Sequence, residues 1–201
     1  RALSTLLFRV GTDPAVITEA LADIAADAKR AGAIVDRLRA LSRKEHVVEH
    51  GLGLDTLVDE VAALLHQDFV RRGITVRRVV AAGGLPRLSG DPIQLQQIAL
   101  NLLVNAAEAL EGVERAGREI TITTGHPAPG LLELAVRDTG IGGTDRDLER
   151  MFEPFITTKH GGLGMGLAIS RSIAEAHGGR IYAKPNTDRG LTVCVELPAE
   201  A

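Results

Sequence analysis

The sequence predicts an α+β fold, a helical hairpin followed by helices layered against a largely antiparallel sheet. Two observations carry that expectation. Residues 17–38 repeat apolar side chains at heptad spacing, and beyond residue 45 helical periodicity alternates with short runs in which every second residue is apolar. A core to hold these layers together is available, because 45% of the 201 residues are hydrophobic and 24% charged, the balance of an ordinary soluble globular chain. At about 150 residues per domain this length implies one full domain and a smaller element.

Leu3, Leu6, Leu7 and Val10 have helical spacing and Gly11 follows where a helix-ending glycine belongs, so the first residues read as the tail of a helix begun upstream. Asp13-Pro14 starts a second helix, a capping side chain before a proline whose missing N–H is harmless there. Along it Ile17, Leu21, Ile24, Ala28, Ala31, Val35 and Leu38 form an a/d seam. The pair makes an antiparallel hairpin, either packed on itself or doubled into a dimeric four-helix bundle. The pattern breaks near His46, so the boundary falls at about residue 45: residues 1–45 are the hairpin and 46–201 the larger domain.

In the larger domain Asp55 is expected to cap a helix running to about Arg72, followed by a strand from Ile74 to Val80. Asp91-Pro92 starts a long helix to about Leu110. Strands are expected at Ile120 to Thr124 and Leu132 to Arg137, a helix from Met165 to about Ala176, and strands at Arg180 to Ala183 and Leu191 to Leu197.

Composition excludes several functions. Four Phe, one Tyr and no Trp leave no stacking platform for single-stranded nucleic acid, and a net charge of -3 lacks the basic stripe of a duplex binder. The lone Cys194 rules out an intramolecular disulfide and a cysteine-based metal cluster. No apolar run approaches a membrane span and the first residues are no signal peptide. The expectation is a soluble, cytoplasmic piece of a longer protein, without membrane contact of its own; any anchor of the parent lies outside these residues.

Chemistry concentrates in four places. The helix Gln94 to Leu110 is apolar almost all round, yet Gln97, Asn101, Asn105 and Glu108 line one face. A buried polar stripe is either a satisfied core network or faces a ligand. The amide oxygen of Asn105 is a hard donor suited to Mg²⁺ carried by a nucleotide. Asp138-Thr139-Gly140-Ile141-Gly142-Gly143 follows a strand, so Asp138 can accept an amino hydrogen of a base while the glycines let the backbone pass close to a flat ring; a plain turn would explain the same string. Phe152-Glu153-Pro154-Phe155 reads as the anchor of a lid over residues 145–159. Gly161-Gly162-Leu163-Gly164-Met165-Gly166 opens a helix and could cradle phosphate with its N–H groups, with Thr157, Thr158 and Lys159 beside it, unless it is merely a solvated loop.

In this order the Asn-bearing helix, the Asp-x-Gly-x-Gly string, the Phe-x-Pro-Phe string and the Gly-x-Gly-x-Gly string resemble the N, G1, F and G2 boxes of the ATP-binding domain of bacterial sensor histidine kinases. Gly190 stands in the place of a final glycine motif, and the resemblance covers roughly residues 46–201. Thr157-Thr158-Lys159 is similar to the subgroup typified by oxygen-sensing and nitrogen-regulating kinases. The resemblance implies a Bergerat-type α/β two-layer sandwich that binds ATP with Mg²⁺. It further implies that Asn105 holds the metal, Asn101 and Lys159 face phosphate, and Asp138 takes the adenine amino group. Gly140, Gly142, Thr158, Gly162, Leu163, Gly164, Met165 and Gly166 would line the nucleotide pocket and lid.

By the same resemblance residues 1–45 are the later part of the dimerisation and phosphoacceptor hairpin, which implies a homodimer in the parent protein. No histidine here has the acceptor's setting: His46 and His50 lie at the boundary, His66 in a helix, His126 before Pro127, His160 in the lid and His177 before Gly178. The acceptor His and its general base are therefore expected upstream, with no catalytic residue in these 201. The implied function is transfer of the ATP γ-phosphoryl to that histidine and then to the receiver domain of a response regulator. Two rivals use the same site. An ATPase of the gyrase, chaperone or mismatch-repair type needs a Glu four residues before the metal-binding Asn, where this chain has Asn101. A degenerate nucleotide-binding module would signal through the hairpin alone.

Overall fold

The computed structural model describes residues 49–81, 84–157 and 164–200. The expected hairpin of residues 1–45, and the dimer seam on it, lie outside these residues. In chain order the elements are β1 (Glu49–Leu52), α1 (Leu54–Arg72), β2 (Thr75–Val80), β3 (Leu88–Gly90), α2 (Pro92–Ala109), a 3₁₀ turn (Arg115–Gly117), β4 (Glu119–Ala128), β5 (Leu131–Asp138), α3 (Asp145–Arg150), α4 (Gly166–Ala176), β6 (Arg180–Pro185) and β7 (Leu191–Pro198).

Five strands form one sheet in the order β2-β4-β5-β7-β6. Three neighbouring pairs are antiparallel and β2 runs parallel to β4, so the sheet is largely antiparallel, as expected, with one parallel edge. α1, α2 and α4 cover one face, giving the two-layer α/β sandwich. Alternation decides which side chains enter the layer between: Ile120 and Ile122, then Leu132, Leu134 and Val136, then Val193, Val195 and Leu197 all point at the helices and are buried.

α2 is the central helix. Asp91 caps it, its side chain accepting from Ile93 N (2.9 Å) and Gln94 N (3.3 Å), and Pro92 occupies the first turn. Leu95, Ile98, Ala99, Leu102, Leu103, Ala106 and Ala107 bury one broad face of it in the core. α1 departs from the expectation at its start, because Gly53 is the N-cap and Asp55 lies inside the first turn. The Asp55 carboxylate instead accepts from Thr124 Oγ1 and pairs with Arg78 at 2.7 Å, fastening α1 to the sheet. At the other end Gly73 takes φ +66 and the N–H groups of Gly73 and Ile74 reach back to Val70 and Phe69, closing the helix.

Two features went unread in the sequence. β1 and β3 form a separate two-stranded ribbon, too short for alternation to show. Within the charged segment after Gly143, α3 is a helix of one and a half turns, started by a Thr144–Asp147 capping box whose hydrogen bonds hold the Asp147 carboxyl below its usual range.

Candidate functional site

Asp138 belongs to the inward series of β5, one step after Leu132, Leu134 and Val136. Where the next residue should be aliphatic the strand ends on a carboxylate, 2% exposed, at the edge of the core. A buried carboxylate must be hydrogen-bonded. Asp138 Oδ1 accepts from Gly140 N at 2.8 Å and, more weakly, from Leu191 N at 3.4 Å.

Glycines gather round it because nothing larger fits. A Cβ on Gly140 would stand 2.6 Å from the Ala109 carbonyl oxygen and 2.7 Å from Asp138 Oδ1. One on Gly190, which sits at φ +80, would fall on the Asp138 carbonyl oxygen. Gly142, at φ +73, passes beside Gly190. This loop rests on the C-terminal turn of α2, where Ile141 N donates to Ala109 O at 3.3 Å.

From Ala109 the polar face of α2 leads back through Glu108 and Asn105, both half-buried, to Asn101. Eight residues of helix span about 12 Å. Asn105 thus stands one turn from the Asp138 loop, and Asn101 stands at the first residue of α4, Gly166. The two glycine clusters of the sequence are therefore joined by the polar stripe.

Asn101, for which the resemblance implies a phosphate-facing role, sits against the first turn of α4. It is 3% exposed, its Nδ2 donates to Gly166 O (3.0 Å) and Ser170 Oγ (3.1 Å), and its Oδ1 accepts from Gln97 Nε2 (3.1 Å). With both donors and its acceptor engaged, the side chain ties α2 to the start of α4.

Where the sequence led us to expect a lid, Phe155 N donates to Gly164 O at 3.1 Å, and a Cβ on Gly164 (φ +61) would lie 2.5 Å from Ile156 O. Of the two phenylalanines expected to anchor such a lid, only Phe152 is buried; Phe155 is 72% exposed with φ +65. Met165, half-buried against the core, precedes α4. Thr158, Lys159, Gly162 and Leu163 lie outside the described residues.

Sequence reasoning missed the turn between β6 and β7. Asn186 Nδ2 donates to Asp138 O at 2.8 Å, and Arg189 Nε donates to Thr139 O at 2.6 Å. The available signal was the Asn186-Thr187-Asp188-Arg189-Gly190 turn composition. No group of three or more His, Cys, Asp or Glu side chains among the described residues could hold a metal ion, so a metal here would rest on amide oxygen and nucleotide.

The sequence profile of the family described as Histidine kinase-, DNA gyrase B-, and HSP90-like ATPase matches residues 90–201. Sensor protein FixL of Bradyrhizobium diazoefficiens is 37% identical over 183 residues, covering 91% of this chain and 36% of that protein. The catalytic domain of histidine kinase ThkA superposes with a TM-score of 0.66 at 28% identity, covering 76% of this chain and 98% of that one. ThkA in complex with response regulator protein TrrA gives a TM-score of 0.79 at 26% identity, covering 99% and 56%. The chain belongs to this ATPase family. Within it the resemblance is to the ATP-binding catalytic region of sensor histidine kinases, and the chain spans about a third of FixL.

Proposed function

We propose that this chain is the nucleotide-binding catalytic part of a protein-histidine kinase, which delivers the γ-phosphoryl of ATP to a histidine outside these residues. The observation that carries it is the buried Asp138 carboxylate at the end of β5, braced by Gly140 N–H and approached so closely by Gly140 and Gly190 that neither could carry a side chain. Asp138 accepts the exocyclic amino hydrogen of adenine. The α2 stripe runs from there toward the phosphates, and α4 presents its N-terminus to them. Gly142, Gly164 and Gly166, with Lys159, shape the phosphate end.

The residues present fit a magnesium ion. Asn105 offers a neutral hard oxygen at the middle of the stripe, and a nucleotide-borne Mg²⁺ takes one or two protein oxygens besides phosphate and water. Bound there, Mg²⁺ would neutralise phosphate charge. The protein's own contribution is positioning: base, ribose and phosphates are laid along one rigid helix so that the terminal phosphoryl meets its acceptor.

A hydrolytic reading finds no base at the position that it requires. The position from which gyrase-type enzymes activate water holds Asn101, an amide that takes no proton and is locked between α2 and α4. Transfer onward to a response regulator follows the complex solved for ThkA and TrrA. Residues 1–45 supply the dimer contact in the parent protein. No helix among the described residues is long and apolar enough to cross a membrane.

Titration calorimetry with Mg·ADP tests the site. Asp138→Asn should weaken binding about 10- to 100-fold, the loss of a hydrogen bond to a charged acceptor. Unchanged affinity removes the adenine assignment. Phosphate transfer to an added hairpin carrying an acceptor histidine supports the kinase, whereas steady release of inorganic phosphate without acceptor supports the ATPase.

A further inference from the structure

The turn between β6 and β7 is tied to the end of β5 more firmly than closing a hairpin requires. Asn186 N donates to Gly190 O at 3.1 Å, which by itself shuts the turn. The Asn186 side chain then does something else. Its Nδ2 donates to Asp138 O (2.8 Å) and Arg189 O (2.9 Å), and its Oδ1 accepts from Thr192 Oγ1 (2.6 Å). Both donors and the acceptor are used, so the amide has one orientation. Arg189 grips the next carbonyl, Thr139 O, at 2.6 Å, while Asp188 is anchored by Arg137 at 2.5 Å, which drops its carboxyl to about 2. Two consecutive carbonyls at the strand end are therefore fixed by side chains of a single turn.

Those carbonyls are Asp138's own and that of the residue after it. The direction in which a short Asp side chain points follows its backbone, and a rotation of the Asp138–Thr139 peptide would swing the carboxylate away from a bound base. We propose that Asn186, oriented by Thr192, is a positioning residue for the base pocket: it holds the Asp138 peptide, aims the carboxylate, and so sets the preference for a purine with a 6-amino group. This rests on the adenine-binding reading of Asp138 given above.

The test compares Mg·ADP with Mg·IDP, whose hypoxanthine carries an oxygen where adenine has its amino group. Asn186→Asp keeps the size of the side chain and an acceptor for Thr192, but has no hydrogen to donate to Asp138 O. It should weaken ADP about three- to tenfold and leave IDP within twofold, eroding the ADP preference. Thr192→Val, which leaves Asn186 in place without its orienting hydroxyl, should move ADP the same way by less. Equal losses for both nucleotides, or none for either, overturn the inference and leave Asp138's role standing. Asp138→Asn measured alongside separates the two readings: if it leaves the ADP to IDP ratio at the wild-type value, the base-site reading fails and this inference falls with it.

Discussion

At Gly190 two demands coincide, a left-handed backbone at φ +80 and no room for a Cβ beside the Asp138 carbonyl. Gly84 has nearly the same backbone, φ +79, with nothing within 4 Å of a would-be Cβ. The pair separates strain from crowding. Gly84→Ala should cost about 1–3 kcal/mol, the backbone term alone, whereas Gly190→Ala should cost clearly more and also weaken ADP. Urea unfolding of both variants measures the difference, and equal losses would show that the close approach at Asp138 is unimportant. Asp138 itself was legible beforehand, since alternation in Leu132 to Arg137 extends inward to position 138. Asn186 was not, because its partner lies 48 residues away and no local pattern points across that gap.

α2 shows how one element serves core and site together. Its start was plain in Asp91-Pro92, and its polar stripe was plain in the spacing of Asn101, Asn105 and Glu108. What each stripe residue touches depends on α4, which is separated from the end of α2 by 56 residues. The α2–α4 contact is tied at two points: Asn101 holds Gly166 and Ser170, and His177 accepts Asp91 N–H on Nε2 (3.2 Å) while its Nδ1–H donates to Ile173 O (2.8 Å). Asn101→Ala should lower stability by about 1–3 kcal/mol, because buried Ser170 and half-buried Gln97 lose a partner. A urea midpoint at the wild-type value, with ADP affinity alone reduced, would return Asn101 to the phosphate-facing role.

Over the described residues as a whole, paired carboxylates link the sheet's outer face and the segment after β7 to pH. Glu196 is held below its ordinary range chiefly by the Arg180 guanidinium at 2.7 and 3.0 Å, and Asp188 is brought to about 2 by Arg137. Glu200 is likewise lowered, by Ser89 first, then His50 and Gly51 N–H, which ties the segment after β7 to the β1–β3 ribbon. For a carboxylate whose folded pKa lies below its unfolded one, the stabilisation is complete above the unfolded value of about 4 and is lost as pH falls through the folded value. Stability should therefore be level above about pH 5 and decline toward pH 2, with most of the Asp188 contribution lost only near the bottom of that range. Urea midpoints across pH 2–6 measure this, and Glu196→Gln should flatten the decline; an unchanged slope in that variant would show that the Arg180 pair plays no part.

Local and periodic information, which is written in adjacent residues, determined by itself the α+β class, eight elements of the larger domain to within a few residues, the carboxylate at the strand end and the glycine clusters. Capping, alternation and heptad spacing act over one to four residues and need no partner to be read. Tertiary structure alone decided that one edge of the sheet is parallel, that Asn101 serves the α2–α4 contact, and that a distant turn grips Asp138. Those outcomes depend on which groups meet across the fold, where a buried donor is satisfied by whichever acceptor packing brings within reach.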